Sequence, residues 1–297
     1  MVNTSVLRQS GTGFEWCINH YDGCSHGCKY CYGMTIRRKK YEDWLKVKPR
    51  KDVIPSLEKD IKKLRKNSVT IKDIFLGSIT DSYQPMEYTN KLTRQIIEVL
   101  KQNELPFTIL TKNDLVLRDI DLFKHYKLCR IGVTITSFDE DFRRILEPFS
   151  ANYERRTKVL KTLKDAGVST YLSCEPIFPV KEADPISIVK KLRNVVDLFE
   201  FGKWSKYRTL GIPDYYYADY SDEYYGRMFK EIIAYCDEQK INYCIASHSE
   251  KFIKDNDLPF NPYPLVKDQA QQPNISRQKQ EEALDFVTEE VLQNGVQ

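Results

Sequence analysis

A chain of 297 residues with 41% hydrophobic and 30% charged content has the make-up of a globular protein, long enough for one large domain or two small ones. No stretch approaches the roughly 18 uninterrupted apolar residues of a membrane span, and Met1 to Ser10 lacks the apolar core of a signal peptide, so a cytoplasmic protein with no membrane partner is expected. The net charge of +4, from 46 basic against 42 acidic residues, does not by itself imply nucleic acid.

In chain order, the first strand is expected over 14–20 and runs into Gly23-Cys24-Ser25-His26-Gly27-Cys28-Lys29-Tyr30-Cys31-Tyr32-Gly33. Apolar residues at three- and four-residue intervals then mark helices, first Ile54-Leu57-Ile61-Leu64 and later Leu92-Ile96-Val99-Leu100. Further strands are predicted over 73–79, 107–111, 130–136, 170–177 and 198–203, with another candidate at 243–246. Helices are predicted over 139–146, 153–166, 186–196 and 223–238, and Gly167 follows the second of these in the usual post-helix position. This alternation is the signature of βα units on a parallel sheet, and the right-handed crossover rule curls such units into a barrel or partial barrel with helices outside. Beyond Asn261 the chain turns Pro- and Gln-rich before a helix expected over 277–292. One domain over 1–260 with a C-terminal extension over 261–297 is therefore predicted.

Cys24, Cys28 and Cys31 put three soft thiolates on one short loop in a CxxxCxxC spacing. A structural zinc or a simple electron-carrying cluster takes four protein ligands, so three leave one coordination position open for chemistry. A zinc knuckle with a distant fourth ligand, or unrelated thiols, are the alternatives at this point. The remaining cysteines (Cys17, Cys129, Cys174, Cys236, Cys244) and histidines (His20, His26, His125, His248) form no second CxxC or HxxxH pair. Their scatter fits reduced thiols better than a disulfide framework.

The loop resembles that of the radical S-adenosylmethionine enzymes. The resemblance implies that Cys24, Cys28 and Cys31 hold a single 4Fe-4S cluster and that S-adenosylmethionine chelates its fourth iron. It implies that Tyr30, before the third cysteine, packs near the adenine. The fold implied is α/β, a partial (β/α)6 barrel of TIM type, here with a C-terminal helical extension, and an electron donor such as flavodoxin or ferredoxin is the implied partner. The strings NHYxGCxHGCxYCY (19–32), TDxYQPxE (80–87), Thr111-Lys112 with Arg118-Asp119, LEP (146–148) and EPIxP (175–179) are similar to the spore-photoproduct-lyase-like branch, often labelled DNA repair photolyases. That likeness covers a core of about 13–203.

In a parallel barrel, residues just after each strand converge on one face. On that face the resemblance gives the strand ends roles toward the cosubstrate. Ser78, Thr80 and Asp81 form a small hydroxyl-rich turn for the methionine ammonium, and Lys112 is suited to the methionine carboxylate. Thr136 and Ser137 offer hydroxyls to the ribose or sulfonium region, and Glu175 can accept from a ribose diol. In true lyases of the branch a cysteine near the end of the second strand returns a hydrogen atom to the repaired thymine. Ser78 stands there instead, and its O–H bond is too strong for that task, which counts against lyase activity on DNA. Cys174 would substitute only if it pointed inward.

Nucleic acid stays open as a substrate, because Arg37-Arg38-Lys39-Lys40 and the basic stretch 46–51 flank the expected mouth. A small metabolite or a peptide is the alternative, and a non-catalytic iron-sulfur or zinc module is a third. Tyr215, Tyr216, Tyr217, Tyr220, Tyr224 and Tyr225, in acidic company, are expected to form a lid packed over the barrel rather than a base-stacking platform.

Overall fold

Short apolar runs become strands and the amphipathic stretches between them become helices. The strands are β1 (Leu7–Gln9), β2 (Trp16–Ile18), β3 (Tyr21–Asp22), β4 (Lys48–Pro49), β5 (Ile74–Leu76), β6 (Phe107–Thr111), β7 (Cys129–Thr134), β8 (Ser169–Ile177), β9 (Leu198–Lys203) and β10 (Tyr243–Ile245). The helices are α1 (Gly33–Ile36), α2 (Tyr41–Trp44), α3 (Val53–Lys66), α4 (Glu87–Asn90), α5 (Leu92–Gln102), α6 (Ile120–Phe123), α7 (Glu140–Leu146), α8 (Tyr153–Asp165), α9 (Pro185–Leu192), α10 (Asp222–Glu238) and α11 (Glu250–Asp255). These elements belong to a computed structural model that describes residues 5–11, 13–205, 211–218, 220–246 and 249–259, with Pro264 and Val266. The helix expected over 277–292 and His248 lie outside the described residues.

Eight strands form one sheet in the order β1-β2-β5-β6-β7-β8-β9-β10. From β2 to β10 every neighbouring pair is parallel and the spatial order is the chain order. Each predicted strand is present, the candidate at 243–246 included, but the first two are short because the residues after Ile18 and Leu76 turn into loops at the site. β1 pairs antiparallel with β2, and its three residues are too few to display a period in the sequence. A two-stranded sheet joins β3 to β4 and brings the basic stretch 46–51 back beside the cysteine loop.

Register decides which side chains line the inside, since residues paired across the strands share a face and alternate residues take the other. One row runs Cys17, Phe75, Thr108, Arg130, and a row nearer the strand C-termini runs Thr134, Ser173, Glu200, Cys244. Leu110 packs both with Phe14, Cys17 and Phe75 and with Tyr171, Leu198 and Cys244, so distant parts of the sheet meet on this face and the sheet is curled. Ile18, Leu76, Ile109, Val133, Leu172 and Phe199 on the opposite face build the main core with the helices. The outcome is a partial TIM-type barrel, with no pairing of β1 to β10 among the described residues. Gly132 permits the inner packing, because a Cβ there would lie 2.3 Å from Tyr171 O.

Helix starts follow their caps: Asp139, Asn152, Asp184 and Ser221 each accept a first-turn N–H, at α7, α8, α9 and α10. Gly167 takes φ +71° just past α8, as its position in the sequence suggests. At the foot of the barrel Arg130 Nη1 donates to Pro264 O at 2.9 Å, which ties the start of the C-terminal stretch to β7. No helix among the described residues is long and apolar enough to cross a membrane.

Candidate active site around the cysteine loop

The chain leaves β2 at Ile18 and enters the cysteine loop at the C-terminal edge of the sheet, where parallel strands present their functional loops. Gly23, at φ +93°, leaves room for Trp44 O, which a Cβ would approach to 2.5 Å. Cys24 N donates to Trp44 O at 3.0 Å, Lys29 N to Leu146 O at 2.8 Å and Tyr41 Oη to Gly27 O at 2.9 Å. Gln84 clamps the other side: Oε1 accepts the Ser25 N–H at 3.0 Å and Nε2 donates to Gly23 O at 3.2 Å.

All eight cysteines are free. Burial pushes the Cys24 thiol up to about 12, with Asp81 and Cys31 adding to the effect, and burial likewise raises Cys28 and Cys31. Among the described residues no three His, Cys, Asp or Glu side chains gather for a single metal ion. The donor set fits an iron-sulfur cluster on other grounds: three soft ligands share one rigid loop, and the Lys112 ammonium acts electrostatically on Cys28.

Asp81, expected to receive the cosubstrate's ammonium, has both oxygens committed to the protein. Oδ1 accepts the Tyr83 N–H at 2.8 Å and the Thr111 hydroxyl at 2.7 Å, while Oδ2 accepts the Lys112 N–H at 2.8 Å and lies 3.1 Å from His26 Nε2. Burial opposes its charge, but His26 and these donors outweigh burial and hold the carboxyl well below its usual range. Asp81 thereby joins the turn after β5, the end of β6 and the cysteine loop. The rest of the TDxYQPxE string works the same way. Tyr83 Oη donates to Asp119 Oδ2 at 3.1 Å, and Glu87 receives Tyr21 Oη at 2.5 Å and Arg118 Nη2 at 2.7 Å. These residues frame the site rather than line it.

Lys112 stands behind the loop, with Nζ donating to Thr134 Oγ1 at 3.2 Å and lying 5.8 Å from the Tyr30 ring centroid. Burial disfavours its charge, yet Cys28 and Glu147 more than offset this and leave its pKa raised. Glu147 is a residue to which the sequence assigned no role beyond the LEP string. Its Oε1 accepts the Tyr30 hydroxyl, and its Oε2 takes Arg156 Nη2 at 2.5 Å. Arg156 also donates to Ala151 O and Thr134 O, each at 2.8 Å. Burial pushes the Glu147 carboxyl up, but Arg156 and Lys112 prevail and lower it. The available signal was an arginine on the buried stripe of α8, beside Tyr153, Val159 and Leu160, which needs an anionic partner.

Thr80 is 4% exposed and its Oγ1 has no hydrogen-bond partner, so the hydroxyl is available to a ligand. Ser78 Oγ accepts from Asn19 Nδ2 at 2.9 Å. Thr136 and Ser137 engage their hydroxyls within the protein: Thr136 Oγ1 faces Tyr153 Oη at 3.3 Å, and Ser137 Oγ donates to Glu182 O at 2.5 Å. Glu175 is half-buried near the end of β8, two residues beyond the inner-row Ser173. Cys174 lies on the opposite face, in the main core. In the tyrosine segment, Tyr216 packs with Phe142, Phe178 and Trp204, and Tyr30 packs against the same group. Asp219 in that segment lies outside the described residues.

Known proteins resemble this chain in sequence and in fold. The uncharacterized protein MJ0683 of Methanocaldococcus jannaschii is 38% identical over 172 residues, which are 56% of this chain and 62% of that protein. The uncharacterized protein ORF301 of Acidianus two-tailed virus is 29% identical over 260 residues, 77% of this chain and 84% of that protein. The chain thus spans less than two thirds of the first relative's length. Among solved structures, spore photoproduct lyase complexed with dinucleoside spore photoproduct matches with a TM-score of 0.53 at 15% identity, over 68% of this chain and 59% of that one. SuiB of Streptococcus suis bound to S-adenosylmethionine matches with a TM-score of 0.61 at 14% identity, over 85% of this chain and 53% of that one. At such identities the likeness is one of fold. Residues 18–192, more than half of the chain and all of the cysteine loop among them, match the family model of the Radical SAM superfamily, and this chain therefore belongs to that superfamily.

Proposed function

We propose that Cys24, Cys28 and Cys31 hold one 4Fe-4S cluster with which the enzyme cleaves S-adenosylmethionine reductively. The observation that carries this reading is the loop: three free thiols are pinned at the open end of the barrel by Trp44, Gln84 and Leu146, with the ammonium of half-buried Lys112 acting on Cys28. When bound and reduced, the cluster supplies one electron to the sulfonium, releasing methionine and a 5′-deoxyadenosyl radical that takes hydrogen from a substrate.

The chain's own residues bind and orient. Lys112 offers a fixed positive charge to the methionine carboxylate, and Thr80 Oγ1 offers an unpartnered acceptor to its ammonium. Glu175 can take a ribose diol. Tyr30, held through its hydroxyl by Glu147, presents a ring of fixed orientation to the adenine. The Phe142, Phe178, Trp204 and Tyr216 wall keeps water from that side. The one-electron step needs a reductant, and a donor protein such as flavodoxin or ferredoxin is the physiological source we propose.

Anaerobic reconstitution should yield about four irons and about four sulfides per chain, and dithionite should then release 5′-deoxyadenosine. Replacing Cys24, Cys28 or Cys31 by Ala should abolish both signals. Retention of the cluster in all three single variants, or uptake of zinc alone by the unaltered chain, overturns the reading.

A further inference from the structure

The segment 41–50 folds back antiparallel along the cysteine loop. Arg50 N donates to His20 O at 2.9 Å, Lys48 pairs with Asp22, Cys24 N donates to Trp44 O at 3.0 Å and the Tyr41 hydroxyl donates to Gly27 O at 2.9 Å. Position falls on one side as it rises on the other, so the segment is a collar laid along the loop, and Lys40, Lys46 and Lys48 on it are exposed. Residues 29–51 hold nine basic side chains against two acidic ones, an excess larger than the +4 of the whole chain. The remainder of the chain is therefore net acidic, and positive charge is concentrated at the loop. Asp22, drawn onto Lys39 at 2.7 Å, removes little of that excess.

Phe149, in the turn between α7 and α8, gives the collar an apolar centre. Its N–H donates to His26 O at 3.2 Å, and its side chain is left 59% exposed. Gly27, at φ +64°, is gripped between the Tyr41 hydroxyl and the Phe149 ring, which a Cβ there would approach to 2.7 and 2.9 Å. Lys29 Nζ lies 4.3 Å from the centroid of the Tyr41 ring. Lys29, Tyr41 and Phe149 thus meet around the backbone unit that adjoins Cys28. An exposed ring with cations about it has the make-up of a transient interface, an apolar centre within a charged rim. The inner row of Thr134, Ser173 and Glu200 is buried, so a large partner seated on Phe149 touches the loop from outside and does not reach that row.

We propose that Phe149, Lys29 and Lys40, with Tyr41 beside them, form the docking surface for an acidic one-electron carrier protein. The proposal rests on the cluster reading above and names where the reductant sits. In the exchange the carrier is oxidised by one electron and the cluster is reduced by one, with no bond formed or broken. Opposite charge on the two surfaces speeds the encounter, and a small contact area suits a partner that must leave again.

The test compares two reductants on the reconstituted full chain, with 5′-deoxyadenosine as the readout: dithionite, too small to need a docking surface, and reduced flavodoxin. F149S/K40E is expected to raise the KM for flavodoxin roughly tenfold and to leave the dithionite-driven rate and the iron content unchanged. F149L/K40R should stay close to the unaltered chain. Added salt should raise the flavodoxin KM of the unaltered chain and affect F149S/K40E much less. An unchanged KM in F149S/K40E, or equal losses with both reductants, overturns the proposal. So does single-stranded DNA that displaces flavodoxin from the unaltered chain and binds F149S/K40E weakly, since the surface then belongs to nucleic acid. Dithionite-driven release with none from flavodoxin overturns this proposal alone, whereas no release with either reductant overturns the cluster reading and this proposal with it.

Discussion

Arg156 Nη2 lies 2.5 Å from Glu147 Oε2 with neither side chain more than 1% exposed, and the Tyr30 hydroxyl occupies the other Glu147 oxygen. A pair so buried depends on both members, because desolvation of either one alone is uncompensated. Arg156→Met is expected to cost about 3–5 kcal/mol in urea unfolding. The double variant E147Q/R156M should lose less than the two single losses combined. Additive losses would show that the two side chains do not act as a pair.

Asp81 holds the Lys112 backbone N–H at 2.8 Å, so a change at Asp81 reaches the ammonium through the chain. Asp81→Asn keeps one carbonyl acceptor but points an amide N–H2 at the Lys112 N–H and His26. The expected cost is about 1–3 kcal/mol, with weaker binding of S-adenosylmethionine and unchanged iron content. Titration calorimetry that found unaltered affinity would remove Asp81 from the frame of the site.

Asp73, fully buried at the foot of β5, accepts the Ile74 N–H at 2.8 Å and faces Thr108 Oγ1. Burial pushes its pKa up to about 6, with Arg130 and these hydrogen bonds opposing. The folded value exceeds the unfolded one of about 3.9, so the native state binds the proton more tightly. The resulting stability is full below about pH 4 and is lost as pH rises through about 6, a change of about 3 kcal/mol. Asp73→Asn should remove this slope, and parallel stability profiles for the two proteins from pH 4 to pH 7 would show that Asp73 titrates normally.

Gly23→Ala tests the loop's path. Its φ of +93° disfavours any Cβ, and that Cβ would meet Trp44 O at 2.5 Å, a backbone atom with little freedom to yield. The variant should keep its far-ultraviolet circular dichroism and lose most of its bound iron on reconstitution. Full iron content would mean that the loop tolerates another course.

Much of the fold was legible because β7, β8 and β9 are long enough to show their apolar runs and because Asp139 and Gly167 punctuate the helices. β1 escaped, since three residues carry no period and its partner is decided by the tertiary fold. At the site, spacing alone marked Cys24, Cys28 and Cys31, and strand ends pointed to Lys112 and Thr80. The tasks of Asp81, Gln84 and Glu147 were not legible in the same way. A carboxylate that accepts three hydrogen bonds beside a histidine and one that receives an ammonium look alike in sequence, and only the positions of Thr111, His26 and Arg156 distinguish them.

Strand order that follows chain order has a consequence for biosynthesis. Ser25 finds its partner Gln84 only 59 positions later, and Tyr30 finds Glu147 after 117. A chain leaving the ribosome therefore displays its three thiols long before the side chains that shelter them have been made. For the cluster proposed above, iron delivery belongs after α8 has emerged, and a nascent chain stalled earlier would present the cysteines to any passing metal or oxidant.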